Sequence, residues 1–450
     1  MPRDPARVRE SFLQARPALR IALLVILSTI LGTIIGAITG EKTTFLFKEE
    51  LHLSASALGT MGLLLGIPSY LQPFVGAWTD LFPLWGFHRR SYYLIGSLIG
   101  SLSILCLAFF TSYHYATVAA LLLLGGAGGV LAGVVFNAVM VMVGNRTGTF
   151  GRLQSLSGLI PLIFSILGTS HLSGFVAQNW SYRATFLTAA ALSLLALPMV
   201  FLIEDSRVLL ARHAHETPEE HTERLARKQE ERARTVATLR RAAKSRGLWV
   251  MVAYVFYLII TPGPNTLYYM TDGLHLSKQF IGDLGKWNSA GTLLGLGLFA
   301  WGYRRLPVIS LVIGAWLMDC FSYPAMLLMH DAPTARWMSL ASASVGVLYG
   351  LCLNTLAARA CPPGIEGTVY GLVMAAIALA GNFSVKFGGW LYDFYGPLNK
   401  AHHYTLTHGW VWSLWFGFAF TLIAGVLIPF LPDWAKSRER LYTSQQTSTS

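Results

Sequence analysis

The sequence predicts an all-α polytopic membrane protein in which twelve transmembrane helices form two six-helix bundles. Three observations carry that expectation: a composition too apolar for a water-facing surface, a series of long apolar runs, and polar turns that repeat between the two halves. Of the 450 residues, 54% are hydrophobic and only 12% are charged, against about 25% charged in a typical soluble domain. Length alone would suggest about three soluble domains. There is too little polar surface here to solvate one.

A helix that crosses the hydrocarbon needs about 20 mostly apolar residues. Candidate spans run from Leu19 to Gly40, Ala57 to Trp78, Tyr92 to Thr111, Ala116 to Val143, Leu156 to Val176 and Ala184 to Ile203. The second half supplies Leu248 to Met270, Phe280 to Tyr303, Val308 to Met329, Trp337 to Ala358, Val369 to Tyr392 and Trp410 to Leu431. All are expected as helices, because lipid offers the backbone no hydrogen-bond partner outside its own segment. The first run is too long for a secretory signal and lacks the small-residue cleavage site, so it is expected to be retained.

Lysine and arginine set the expected orientation. Four arginines precede the first span and a fifth, Arg20, stands at its cytoplasmic start. With that end inside, only six of the 34 basic residues fall outside: Lys42, Lys48, Arg183, Lys278, Arg336 and Lys400. Lys286 and Lys386 lie within spans, and the remainder lie inside. Both termini are therefore expected in the cytoplasm, with a plasma (inner) membrane as the expected site. The net charge of +12 then reports topology, not nucleic-acid binding.

The one long polar segment, Glu204 to Arg246, divides the chain. Thr217-Pro218-Glu219-Glu220 reads as an N-cap, a proline at the first helical position and a capping-box glutamate, so a charged helix along the headgroups is expected there. The expected domains are an N-terminal bundle 1–203, a cytoplasmic linker 204–247, a C-terminal bundle 248–432 and a disordered tail 433–450. The halves echo one another. Gly86-Phe87-His88-Arg89-Arg90 follows the second span and Gly302-Tyr303-Arg304-Arg305 the eighth; Arg146 to Gly151 follows the fourth and Arg359 to Gly367 the tenth.

These residues also carry a resemblance. Asp80 near the end of the second span, with Gly76 before it and Arg89 and Arg90 after it, resembles the loop motif of the major facilitator superfamily. More narrowly, IPSYLQPFVGAWTDLFPLWGFHRRSYYLIGSL is similar to the folate–biopterin transporter family. FGRLQSLSGL, TPGPNTLYYMTDGLHLSKQFIGDLG and AARACPPGIEGTVYGLVMA extend the likeness through most of the membrane part. The resemblance implies a major facilitator fold, alternating access, and an inside gate in which Asp80, Arg89, Arg90 and, in the second half, Arg359 take part. Two positions depart from the family's pattern: Gln72 stands in place of a lysine, and Asn137 in place of a carboxylate.

Ionisable groups inside a membrane are costly and mark functional candidates. Asp283 and Lys286 lie three residues apart on one helical face, either neutralising each other or lining a cavity. Lys386 is deep in the eleventh span with no acid within a turn, so it pairs across helices or faces a cavity. Asp319 in the ninth span is a structural hydrogen bonder or, with Asp283, a proton-coupling candidate. Asn137 and Asn354 occupy comparable depths of spans four and ten, as interhelical amides or substrate contacts. Pro262-Gly263-Pro264-Asn265 interrupts the seventh span, which removes backbone donors and bends the helix. Asn265, Tyr268 and Tyr269 follow as groups suited to a flat ring. The glycines from Gly125 to Gly129 suit close helix packing.

Cys106, Cys320, Cys352 and Cys361 have neither metal-ligand spacing nor a disulfide pattern. No Walker motif is present and no strand precedes the GxG patterns. With no nucleophile–base set either, an enzyme is not expected, and neither is a cofactor or a metal. The expected function is secondary active transport of a small organic solute, an anionic folate or pterin being what the resemblance implies, with a coupling proton and membrane lipids as partners. Two alternatives stay open: the same fold carrying another amphiphilic metabolite or drug, and a non-cycling pigment-handling or assembly factor.

Overall fold

A computed structural model of the chain describes residues 5–82, 84–85, 87, 89–203, 246–263, 265–360, 366–396 and 406–430. The linker helix expected within 204–247 and the tail from 433 lie outside the described residues. In chain order the α-helices are α1 (Pro5–Phe45), α2 (Ala55–Leu65), α3 (Ile67–Tyr70), α4 (Gln72–Leu81), α5 (Arg90–Ala108), α6 (Tyr115–Thr147), α7 (Phe150–Phe164), α8 (Ser170–Asn179) and α9 (Tyr182–Leu194). After the linker come α10 (Arg246–Ile259), α11 (Thr266–Tyr268), α12 (Lys278–Tyr303), α13 (Val308–Ala325), α14 (Ala332–Ala360), α15 (Glu366–Phe394) and α16 (Leu406–Ala424). Each expected span is matched in order by helix. Eight of the described segments are long and apolar enough to cross a membrane.

The first two spans differ from expectation. The first does not stop at Gly40: α1 continues to Phe45 and a π-turn carries it to Glu50. Lys42 is therefore not a loop residue. It is 5% exposed, donates to the carbonyls of Ala177 and Trp180 at the end of α8, and lies 4.4 Å from the centre of the Tyr182 ring. A cation at a helix C-terminus meets carbonyls that lack intrahelical partners. The second span is not one rod, since Gly66 and Leu71 separate α2, α3 and α4.

The chain divides into two compact units: Met1–Leu51 with Ile67–Glu216, and His52–Gly66 with Thr217–Ser450. The core of the first gathers Leu24 and Val25 of α1, Tyr92 of α5, Val139 and Val143 of α6, and Leu153 of α7. The second is built on Tyr254 and Val255 of α10, Val312 and Ala315 of α13, Cys352 and Leu356 of α14, and Ala424 of α16. Glycines set the closest approaches. At Gly128 an added Cβ would stand 2.6 Å from the Gly96 carbonyl oxygen, so α5 and α6 touch backbone to backbone; Gly125 faces Ser103, while Gly129 faces nothing within 4 Å.

The structure exposes a second repeat between the halves. Leu51-His52-Leu53-Ser54 and Leu274-His275-Leu276-Ser277 each follow a π-turn and precede a helix. His52 and His275 adopt φ of 49° and 52°, the left-handed turn that ends a helix and that normally favours glycine. Ser54 and Ser277 then cap the next helix, accepting from the Ala57 and Phe280 amides at 3.3 and 3.2 Å. Identical local chemistry at both places is what a duplicated unit predicts.

The Gly128→Leu variant is expected to lose about 1–3 kcal/mol through forced separation of α5 and α6. Thermal unfolding of the purified protein in detergent, with helix content measured before heating, checks it.

Candidate functional site

The break expected in the seventh span is present. α10 stops at Ile259, and helix resumes only at Thr266. Breaking a helix in lipid strands carbonyls and amides that must find partners inside the protein. Here α15 supplies them. The Ser384 hydroxyl donates to the Thr261 carbonyl at 2.5 Å, and the Gly263 amide donates to the Ser384 carbonyl at 3.3 Å. Gly388, one turn on, lies against the Gly263 carbonyl so closely that a Cβ would collide with it. Thr261 is 3% exposed, and its hydroxyl has no hydrogen-bond partner among the described residues.

The opposite face of α15 packs on α2. Asn382, Lys386, Gly389 and Asp393 follow helical spacing, and they meet Gly62, Gly59, Ala55 and Ser56 in turn. A Cβ on Gly59 would strike the Lys386 backbone. Asp393 accepts from the Ser56 and Ala55 amides at 2.8 and 3.3 Å, a carboxylate at a helix N-terminus, where the dipole favours it. Lys386 itself is half-buried. Among the described residues, no carboxylate lies within ion-pair distance of it.

The other expected site residues take several roles. Asp283 and Lys286 of α12 pair with each other at 3.7 Å, with 24% and 44% of their side chains exposed. Asp319 of α13 is half-buried among tyrosines, near Tyr323 and the hydroxyl pair Tyr254–Tyr349, whose oxygens are 2.8 Å apart. Asn265 is 8% exposed at the start of α11, and Asn354 of α14 is half-buried. Asn137 of α6 is exposed.

Tyr268 and Tyr269 are committed to packing. The Tyr268 hydroxyl donates to the Leu53 carbonyl at 2.5 Å, and the Tyr269 ring stacks on Trp410 with centroids 4.4 Å apart. The face of Tyr269 expected to meet a flat ring is thus occupied from one side by the indole.

At the basic end of the first unit, Arg90 donates from Nε to the Ile203 carbonyl at 2.7 Å. Tyr92 and Ser91 tie the preceding turn down through the Phe82 and Leu84 carbonyls, at 2.6 and 2.8 Å. Arg89 and Arg90 open α5, where the helix dipole disfavours cations. The side chains of Asp80 and Arg359 lie outside the described residues. One acid escaped the sequence reading. Glu41, placed beyond the first span, is within the helical run and half-buried, and among the described residues no cation pairs with it.

Comparison with known proteins decides the family. Residues 35–408 match the model of the BT1 family. The chain belongs to the BT1 family. It is 29% identical to the folate-biopterin transporter of Synechocystis over 78% of this chain and 71% of that one. Similar relatives include a probable folate-biopterin transporter 7 of Arabidopsis thaliana, 24% identical over 75% and 77% of the two chains. Another is folate transporter 1 of Plasmodium falciparum, 20% identical over 74% and 65%. Among solved structures, a D-xylose–proton symporter aligns with a TM-score of 0.64 at 18% identity, covering 91% of this chain and 97% of that one. A peptide transporter aligns with a TM-score of 0.64 at 14% identity, over 92% and 95%. The fold is that of the major facilitator transporters. This BT1-family chain is a multi-pass membrane transporter of a small molecule, not an enzyme.

Replacing Ser384 by alanine leaves the Thr261 carbonyl of this transporter without its donor. The expected cost is about 1–3 kcal/mol for an unsatisfied buried acceptor, read as a lower melting temperature. Ser384→Thr, which keeps the hydroxyl, is expected to recover part of it.

Proposed function

We propose that this BT1-family transporter carries an anionic folate or pterin by alternating access, coupled to a proton, across a plasma (inner) membrane with both termini in the cytoplasm. The observation that carries the substrate assignment is Lys386. A lysine deep in a membrane span normally finds a counter-charge or snorkels to the surface; this one has no carboxylate within ion-pair distance among the described residues, and it sits half-buried where α15 packs on Gly59 of α2. An organic carboxylate meets its charge. The names of the relatives from Synechocystis and Plasmodium support the same class of cargo, and the distribution of basic residues supports the orientation.

The remaining roles follow from chemistry. Lys286 is already neutralised by Asp283, so it contributes less to anion capture than Lys386. Asp319, half-buried with phenols for neighbours, is the stronger of the two proton-coupling candidates, because Asp283 already has a cation beside it. Asn265 and Asn354 supply amide donors and acceptors for ring edges. Asp80, Arg89, Arg90 and Arg359 keep the gating roles that the family resemblance implies. A second reading, another amphiphilic cargo in the same fold, is favoured by Asn137, exposed and uncharged where the family has a carboxylate.

Two experiments test this. Folate and biopterin are expected to raise the melting temperature by mass action. Lys386→Ala should weaken that binding by about tenfold or more, while Lys386→Arg retains most of it. Silence from both pteridines, alongside stabilisation by a neutral amphiphile, selects the second reading. For the gate, Asp80→Asn is expected to slow turnover in reconstituted vesicles with binding unchanged; wild-type flux from that variant removes Asp80 from the gate.

A further inference from the structure

We propose that the first unit carries a phospholipid site at the basic end of the helices, with the lipid phosphate at Arg90 and one acyl chain in the groove between the third and sixth spans. The groove encloses about 440 Å³ and is lined by Trp85, Phe87, Arg90, Leu94, Leu197 and Phe201, among others. Arg90 is the one charged residue among the described residues of that lining. A volume of this size takes a chain-like apolar ligand fixed by a few polar groups.

Position in the membrane selects the occupant. Arg90 opens the apolar span Arg90–Ala108, and Leu197 and Phe201 lie in the last turns of the span Tyr182–Leu202. The groove therefore starts at a membrane boundary and runs inward. Leu94 is one helical turn deeper than Arg90, about 6 Å, so charge sits at headgroup level and hydrocarbon below it. That is the polarity of a phospholipid. Arg90 is also held in place, since its Nε donates to the Ile203 carbonyl at 2.7 Å.

The turn above the groove is built for display. Trp85 is 72% exposed and adopts φ of 54°, a conformation rare for a bulky residue and kept where surrounding bonds over-determine it. The Leu84 and Phe87 amides each donate to the other residue's carbonyl, at 3.1 and 3.0 Å, and Ser91 secures Leu84 from α5. The result is an indole held out at interface depth, where tryptophan partitions between chain and headgroup. Phe201, 75% exposed, faces the same groove.

Native mass spectrometry of the detergent-purified protein tests the site, with dioleoyl-phosphatidylglycerol and dioleoylglycerol as separate probes. The wild type is expected to retain one phosphatidylglycerol, and the diacylglycerol, identical in its chains but lacking phosphate, to bind about tenfold less. Leu197→Trp, which fills the groove, and Phe201→Ser, which alters an exposed side chain without disturbing packing, are each expected to lower phosphatidylglycerol occupancy. Arg90→Gln should remove the preference between the two probes. Equal retention of both probes by the wild type overturns the proposal, as does unchanged occupancy in both Leu197→Trp and Phe201→Ser. None of these outcomes depends on the transported substrate.

Discussion

A backbone inside lipid must satisfy its own hydrogen bonds, and in the second unit the seventh span is a place where a helix fails to do so. Pro262 and Gly263 open the seventh span, and α15 closes the account by lending its Ser384 hydroxyl and carbonyl to Thr261 and Gly263. That service requires α15 to approach within backbone contact, which Gly388 permits. The other side of the same helix must then pack equally closely against α2, where Gly59 and Gly389 remove the obstructing Cβ atoms. A stitched break and a glycine-lined crossing thus share one helix, and Lys386 lies on the crossing.

Charge is distributed by the same economy of solvation. Lys42 is buried, but it sits where α8 leaves carbonyls without partners. Asp393 is at the opposite pole of another helix, accepting the amides that begin α2. Lys286 has its acid three residues away. Each of these is explained by a neighbour, and each stabilises the fold. Lys386 and Asp319 lack such a charged neighbour among the described residues, which separates them from the structural set.

Several features were legible in the chain itself. Long apolar runs announced the spans because no other structure hides a backbone from lipid, and Pro262-Gly263-Pro264 announced the break because proline cannot donate. The family resemblance of the Asp80–Arg90 turn agreed with the BT1 match. Other features were not legible. The end of the first span was misplaced because Glu41 and Lys42 look like loop residues, and a charge buried by a partner helix cannot be told from a solvated one by sequence alone. Tyr268 and Tyr269 carried a signal of ring chemistry, yet that signal is the same whether the partner is a ligand or Trp410. The twin Leu-His-Leu-Ser caps could have been found by comparing the halves, but histidine in a left-handed turn gives no compositional cue.

The amino-acid sequence by itself determined that this chain lives in a membrane and which family it belongs to, since these follow from local apolarity and motif. Tertiary structure alone decided which polar groups are spent. Whether Lys42, Lys286 or Lys386 remains available to a ligand depends on residues up to 138 positions away, brought together by helix packing. Pairwise distances of that kind are set by the close approach of helices, and no single segment encodes them.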